Sequence, residues 1–320
     1  MVGSLSDSRE GGCQLMQSTA SQPTVAVIIV TYNSSTFINR CLDSVATSEF
    51  SPVATIVIDN ASSDNTVDIV SNRQDCGIIS LSDNRGFAAG VNRGIREALD
   101  KSADYVFLLN PDATIERGCL GGLVAELLAH PEASCASPFI RSEPAGNPWY
   151  AGARLDFVRQ SFEHDVVEPS LSGPSLVRVT GRPTGCAMLV PAELIRRVGG
   201  LDESFFLYWE ETEWFLRLAK AGGAALYVGT AVAHHWVSSS TGGWGSPFYE
   251  YYYIRNWCRL TGIECHLTRA QTVKRVLPSL VTRWRHMIAQ KGFIAGFRGF
   301  GAGVRGISDF WRGRFGARHG

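Results

Sequence analysis

The run "VAVIIVTYN", Val25–Asn33, decides how the rest of the chain is read, because six apolar residues end abruptly in three polar ones. A stretch so short and so rich in Val and Ile reads as a buried strand. The pattern then alternates: "STFINRCLDSVAT" reads as a helix, "VATIVIDN" as a strand, "SSDNTVDIVSN" as a capped helix and "GIISL" as a third strand. "GFAAGVNRGIREAL" follows as a helix and "ADYVFLLN" as a fourth strand. Near-continuous apolar strands separated by amphipathic helices predict parallel β-α-β units, an α/β sheet covered on both faces. Each strand ends in polar residues: Thr31, Tyr32 and Asn33; Asp59 and Asn60; Asp83 and Asn84; Asn110 and Asp112. In open α/β sheets the ligand crevice lies outside the carboxyl ends of the strands, so these clusters are expected to converge on one site.

Composition narrows the class. The 320 residues are 45% hydrophobic and 19% charged, enough apolar material for one large domain or two small ones. Thirty basic and thirty acidic residues cancel, which argues against a general nucleic-acid binder. The cancellation hides an asymmetry, since from His266 to Gly320 eleven Lys or Arg stand against one Asp. Segregated charge of this kind points to a tail that meets an anionic partner or surface. Eight scattered cysteines, without a C-x-x-C pair, read as reduced and mostly buried thiols of a cytosolic protein. The first 22 residues are rich in Ser, Gly and Gln and lack the apolar stretch of a signal peptide. No later window offers the ~18 apolar residues that a membrane span requires.

Past the fourth strand the rhythm breaks. Residues 144–183 are rich in Gly and Pro and read as loops and short strands; "AALYVGTAVAHHW" supplies two short strands and "SSSTGGWGSP" a loop with the glycine content of a mobile lid. Between them "FFLYWEETEW", Phe205–Trp214, sets three carboxylates among five aromatic rings. On a helical wheel with Glu210 at zero, Trp214, Leu218 and Phe215 fall at about 40°, 80° and 140°, and Glu211 lands inside that apolar stripe at about 100°. Either Glu211 only exploits the positive end of the helix dipole, or it is a general base pushed into a cleft, where partial desolvation raises its pKa. Asp112, after Pro111, is either a turn residue or a ligand for a divalent ion that holds a diphosphate. His234 and His235 follow another strand and offer such an ion or phosphate an imidazole, one of the two being expected to be structural. Asp59 either starts an Asx-type turn or accepts hydrogen bonds from a nucleobase. "NRGFAAGVNRG" does not match the dinucleotide fingerprint, and Gly86 and Gly90 either let backbone pass a ligand or pack a helix tightly on the sheet.

Taken in order, "VTYN", "VIDNAS", "NRGFAAGVNRG", "LLNPDA", "GCAMLVP", "FFLYWEETEWFLR", "HHW" and "YYYIRN" resemble the inverting family 2 glycosyltransferases, most of all their bacterial rhamnosyltransferase-like branch, over roughly residues 25–260. The resemblance implies a GT-A fold, with a Rossmann-like nucleotide-binding half and a mostly parallel central sheet flanked by helices. It also implies that an acceptor hydroxyl attacks the anomeric carbon of a nucleotide-sugar while a metal-bound nucleoside diphosphate leaves. Glu211 matches the second acid of the family's E-D motif and so becomes the base, with Glu210 orienting it or the acceptor. Asp112 matches the last acid of the D-x-D motif and becomes the ligand of Mg²⁺ or Mn²⁺, and His234 or His235 completes the diphosphate site. Thr31, Tyr32 and Asp59 fall to the donor's base and ribose, Gly86 with Asn92 to its sugar-diphosphate path, Asn33, Asn60 and Asn110 also to the donor, and Tyr208, Trp209 and Trp214 to the acceptor sugar. Two positions depart from the motif: Asn110 replaces its first Asp, which removes a charge, and Glu211 is one methylene longer than Asp, about 1.5 Å.

The chain thus divides into a flexible tail at 1–22, a GT-A domain at 23–262 and a basic, aromatic-rich helical region at 263–320. In that last region Arg283, Arg285, Lys291, Arg298, Arg305, Arg312 and Arg314 interleave with Trp284, Phe293, Phe297, Phe300, Phe310 and Trp311, as in an interfacial amphipathic segment. The expected enzyme moves a sugar, a deoxyhexose such as rhamnose in the closest branch, to a polyprenyl-diphosphate-linked saccharide, peripherally on the cytoplasmic face of the cell membrane. A homo-oligomer contact is the alternative use of the basic region. A nucleotidyltransferase is the nearest competing enzyme, but "VTYNSSTF" lacks the basic, Gly-rich loop it needs. A non-catalytic nucleotide-sugar module would bind donor without turnover.

Overall fold

The computed structural model describes residues 22–157, 159–169, 176–236 and 243–318; the expected N-terminal tail to residue 21 and the first half of the expected lid loop, to residue 242, lie outside the described residues. The apolar runs form β1 (Val25–Thr31), β2 (Ala54–Asp59), β3 (Gly77–Ser80) and β4 (Tyr105–Leu109), all parallel in the spatial order β4-β1-β2-β3. Every residue of β1 is buried, because helices cover both faces of the sheet. On one face α3 (Gly86–Asp100) sits so close that a Cβ on Gly90 would lie 2.6 Å from Val30 Cγ1. The glycine there serves helix-on-sheet packing.

Beyond β4 the sheet is mixed. β11 (Ala187–Pro191) lies antiparallel to β4 and leads through β6 (Cys135–Ser142) to β12 (Ala225–His235) and β10 (Val177–Thr180). β5 (Ala113–Ile115) adds to β12, β7 (Asn147–Tyr150) to β6, and β8 (Ala153–Asp156) pairs with β9 (Ser161–His164) in a separate hairpin. The two short strands expected at 225–235 are therefore one. Its register shifts between Val228 and Val232, so Gly229 and Thr230 mark a bulge and not a turn.

Three helices follow: α7 (Pro247–Glu264), α8 (Arg269–Lys291) and α9 (Phe293–Arg312). The expected boundary at 262/263 falls inside α7. Gly296, Gly299, Ala302, Gly303 and Gly306 are buried along α9, which packs on α7 and α8. Part of the expected interfacial set thus faces inward. Arg283 is ion-paired at 2.7 Å with the fully buried Glu250 of α7, and Phe310 is buried. No helix of the described residues is long and apolar enough to cross a membrane.

Candidate active site

A cleft of about 1090 Å³ opens where the carboxyl ends of β1, β2 and β4 meet the start of α6 (Glu210–Gly222) and the aromatic face of α7. The chain enters α6 through a strained loop, with Phe206, Tyr208 and Trp209 all at positive φ (66°, 67° and 74°). Such conformations cost roughly 1–3 kcal/mol each and persist only where the surroundings hold them. Here α7 supplies the hold. Buried Asn256 spreads its Nδ2 over the carbonyls of Phe205, Leu207 and Tyr208 at 2.7, 2.7 and 3.0 Å, and Arg255 Nη2 adds a second donor to Phe205 at 2.8 Å. The outcome is a helix whose first residues, Glu210 and Glu211, line the cleft.

The two acids differ in their surroundings. Glu210, the zero of the wheel and outside its apolar stripe, is 3% exposed, and one of its carboxyl oxygens has no hydrogen-bond partner. Burial, with the Glu211 carboxylate beside it, pushes the Glu210 carboxyl well above the usual carboxylate range. Glu211 is ion-paired with Arg182, a residue that sequence reasoning missed. Arg182 lies in a Gly- and Pro-rich segment with no periodicity to reveal it. Trp209 and Tyr208 line the cleft, the former donating from Nε1 to the Tyr253 carbonyl at 3.1 Å. Trp214 does not: it is fully buried in the core and donates to the Gly199 carbonyl at 2.9 Å. The apolar stripe of the wheel was the core face, and Trp214 belongs to it.

On the opposite wall Asp112 Oδ1 and His235 Nε2 stand 3.2 Å apart, both nearly buried. Burial works to lower the His235 pKa, but Cys186 and the Asp112 carboxylate beside the ring outweigh it and raise the value to about 10. His234 points to the other face of β12, as alternation along a strand demands, and bonds Glu143 at 2.8 Å and Glu116 at 3.2 Å. It is a clamp between strands and leaves His235 alone beside Asp112. Among the described residues no group of three or more His, Cys, Asp or Glu is arranged to hold a metal ion. One carboxylate and one imidazole fit a divalent ion that takes its remaining ligands from diphosphate oxygens and water.

The expected donor residues divide in the same way. Tyr32, Asn60, Gly86 and Asn110 line the cleft with Asp112. Asn60 bridges the Gly86 carbonyl (2.9 Å) and the Arg85 amide (3.0 Å), which holds the β2 and α3 loops together. Gly86, at φ 86°, lies so close to Phe206 that a Cβ would meet its carbonyl oxygen at 2.3 Å. Thr31 and Asp59 are buried beneath the lining, each with one side-chain oxygen unpartnered, and Asp59 also accepts from Ser62 N at 3.0 Å. Asn33 joins the first two strand ends by accepting from Ser63 N at 2.8 Å. Asn92 turns away from the cleft and anchors the 201–203 loop, bonding Leu201 on both its backbone atoms and Glu203 at 3.0 Å. Its place in "GVNRG" signalled a ligand but served this tether.

Comparison with known proteins gives the arrangement a context. Residues 26–178 match the family model "Glycosyl transferase family 2". The N-acetylglucosaminyl-diphospho-decaprenol L-rhamnosyltransferase of Mycobacterium tuberculosis is 27% identical over 238 residues, which cover 68% of this chain and 77% of that protein. The mannosyltransferase PcManGT from Pyrobaculum calidifontis, solved with GDP-Man and Mn²⁺, superposes with a TM-score of 0.57 at 18% identity, over 92% of this chain and 84% of its own. GalNAc-T7, solved with UDP, GalNAc and Mn²⁺, gives a TM-score of 0.58 at 16% identity; the match covers 74% of this chain and 47% of that one. At these identities the structural likeness is one of fold.

Proposed function

We propose that this chain is a glycosyltransferase that transfers a sugar, with inversion, from a nucleoside-diphosphate donor to a lipid-linked saccharide, a reading supported by the family 2 match over residues 26–178 and by the fold it shares with solved glycosyltransferases. The observation that carries this reading is that Glu211 faces the same cleft as Asp112 and His235, so that a base and a diphosphate site share one cavity. The acceptor hydroxyl gives its proton to Glu211, its oxygen bonds to the anomeric carbon, and the bond from that carbon to the diphosphate breaks with its electron pair. Asp112 and His235 would hold a divalent ion, and its chemistry there would be neutralisation of charge on the diphosphate. Tyr208 and Trp209 offer apolar sugar faces a stacking surface. The mycobacterial relative supports rhamnose as the sugar and a polyprenyl-diphosphate-linked saccharide as the acceptor.

Calorimetric binding of UDP, dTDP and GDP, with and without Mn²⁺ or Mg²⁺, tests the donor half of this reading on wild type and Asp112→Ala. One diphosphate is expected to bind in a metal-dependent way, and Asp112→Ala to lose it. Absence of binding with every nucleotide and metal would remove the donor site. Tight binding without turnover would favour a nucleotide-sugar module.

A further inference from the structure

Two adjacent carboxyl groups face one cleft, yet inverting transfer needs a single proton acceptor. Arg182, between β10 and β11, is 8% exposed and fixed on three sides. Its Nε donates to Thr212 Oγ1 at 2.6 Å, its Nη2 donates to Glu211 Oε1, and its guanidinium carbon lies 4.3 Å from the Phe162 ring centre and 5.5 Å from that of Trp209. Gly185 leaves room for the pair, since a Cβ there would lie 3.0 Å from Glu211 Cγ.

We propose that Arg182 is the positioning residue that selects the base, pairing with and orienting Glu211 and not the buried Glu210. This deepens the glycosyl-transfer reading and rests on it. The other titratable groups that line the cleft with the carboxyl pair include His164 on β9, Cys186 just before β11, Tyr208, Tyr249, Tyr252 and Tyr253, and Arg318 near the C-terminus, while Glu213 and Arg217 stand further along α6. Asp112 and His235 face the same cleft. Burial and Arg182 itself push His164 down to about 4, so its imidazole is neutral. Burial raises the Tyr253 phenol, and Glu213 is closed on Arg217 at 2.8 Å. Among the described residues Arg182 is the cation ion-paired with Glu211. The burial that keeps Glu210 protonated acts in the same direction.

The test is the pH profile of kcat/KM in wild type, Arg182→Gln, Arg182→Lys, Glu211→Gln and the Arg182→Gln/Glu211→Gln double variant, beside carbon-13 NMR titration of glutamate carboxyls in the free enzyme. Loss of a contacting cation is expected to move the acid limb up by about 1–3 pH units in Arg182→Gln. Arg182→Lys, which keeps the charge, should stay nearer to wild type and covers the case in which the glutamine variant fails to fold. Glu211→Gln should lose about 10²- to 10⁴-fold, and adding Arg182→Gln should change that by less than about threefold, because Arg182 acts through Glu211. An unmoved acid limb and unmoved glutamate titrations in a less active Arg182→Gln would reduce Arg182 to packing and overturn the proposal. If wild type turns nothing over, the transfer reading fails by itself, while the NMR arm still decides whether Arg182 sets the charge of the pair.

Discussion

Glu210 sits where an acid costs the fold stability. Its ordinary value is 4.5, and burial raises it well above that in the folded chain. Between the two values the folded state keeps a proton that the unfolded state releases, so stability is complete below 4.5 and falls as pH rises toward the folded value. The slope is at most about 1.4 kcal/mol per pH unit. Glu210→Gln keeps the shape and never ionises. Its melting temperature should exceed that of wild type by a margin that widens from pH 5 to pH 8, as scanning calorimetry would record. A constant margin would mean that Glu210 is not the protonated member. The resemblance put Glu211 and Glu210 together in the site, but nothing in the sequence showed that Glu210 is buried. A wheel sees one helix, and the burial of Glu210 depends on chain outside it.

At the scale of elements, α6 is aimed by α7. Asn256 links them through three carbonyls of a loop with left-handed residues. Asn256→Ala removes these bonds from a buried place and should cost about 2–4 kcal/mol in urea denaturation. It should also lower kcat more than donor affinity, because Glu210 and Glu211 begin where that loop ends. A loss of stability with unchanged kcat would show that α6 keeps its aim without the clamp. Much of this element plan was legible: the four parallel strands follow from their apolar runs, and their polar ends from the topology of open sheets. What was not legible came from contacts distant in sequence. "YYYIRN" carried a family resemblance but no sign that Asn256 faces residues 205–208, and the "HH" pair needed the strand's alternation to divide it. "VGT" inside β12 looked like a turn because a bulge uses the same small residues.

For the whole molecule, the surface of α9 is the strongest remaining asymmetry. Ile294, Phe297, Val304 and Trp311 are exposed (71%, 44%, 46% and 52%) and follow one another at helical spacing. Exposed Arg298, Arg305 and Arg312 run beside them at seven-residue intervals, so one apolar stripe has one cationic border. Lys291, at the turn into α9, bonds the carbonyl of Trp244, which lines the cleft. On the proposed reading of the function, a face of this kind suits a lipid-linked acceptor whose lipid stays in a bilayer. Each basic residue near an anionic leaflet contributes about 1 kcal/mol, so replacing all three arginines by glutamine should weaken binding to phosphatidylglycerol vesicles about 100-fold. Sedimentation with those vesicles would measure it, and added salt should weaken wild-type binding by screening. Ile294→Ser with Phe297→Ser should weaken binding without changing its salt dependence, since these residues contribute burial and not charge. If wild type ignores phosphatidylglycerol vesicles and instead sediments as a dimer that the serine variant breaks, the stripe is a contact between copies of the chain, and the acceptor must reach the cleft without help from α9.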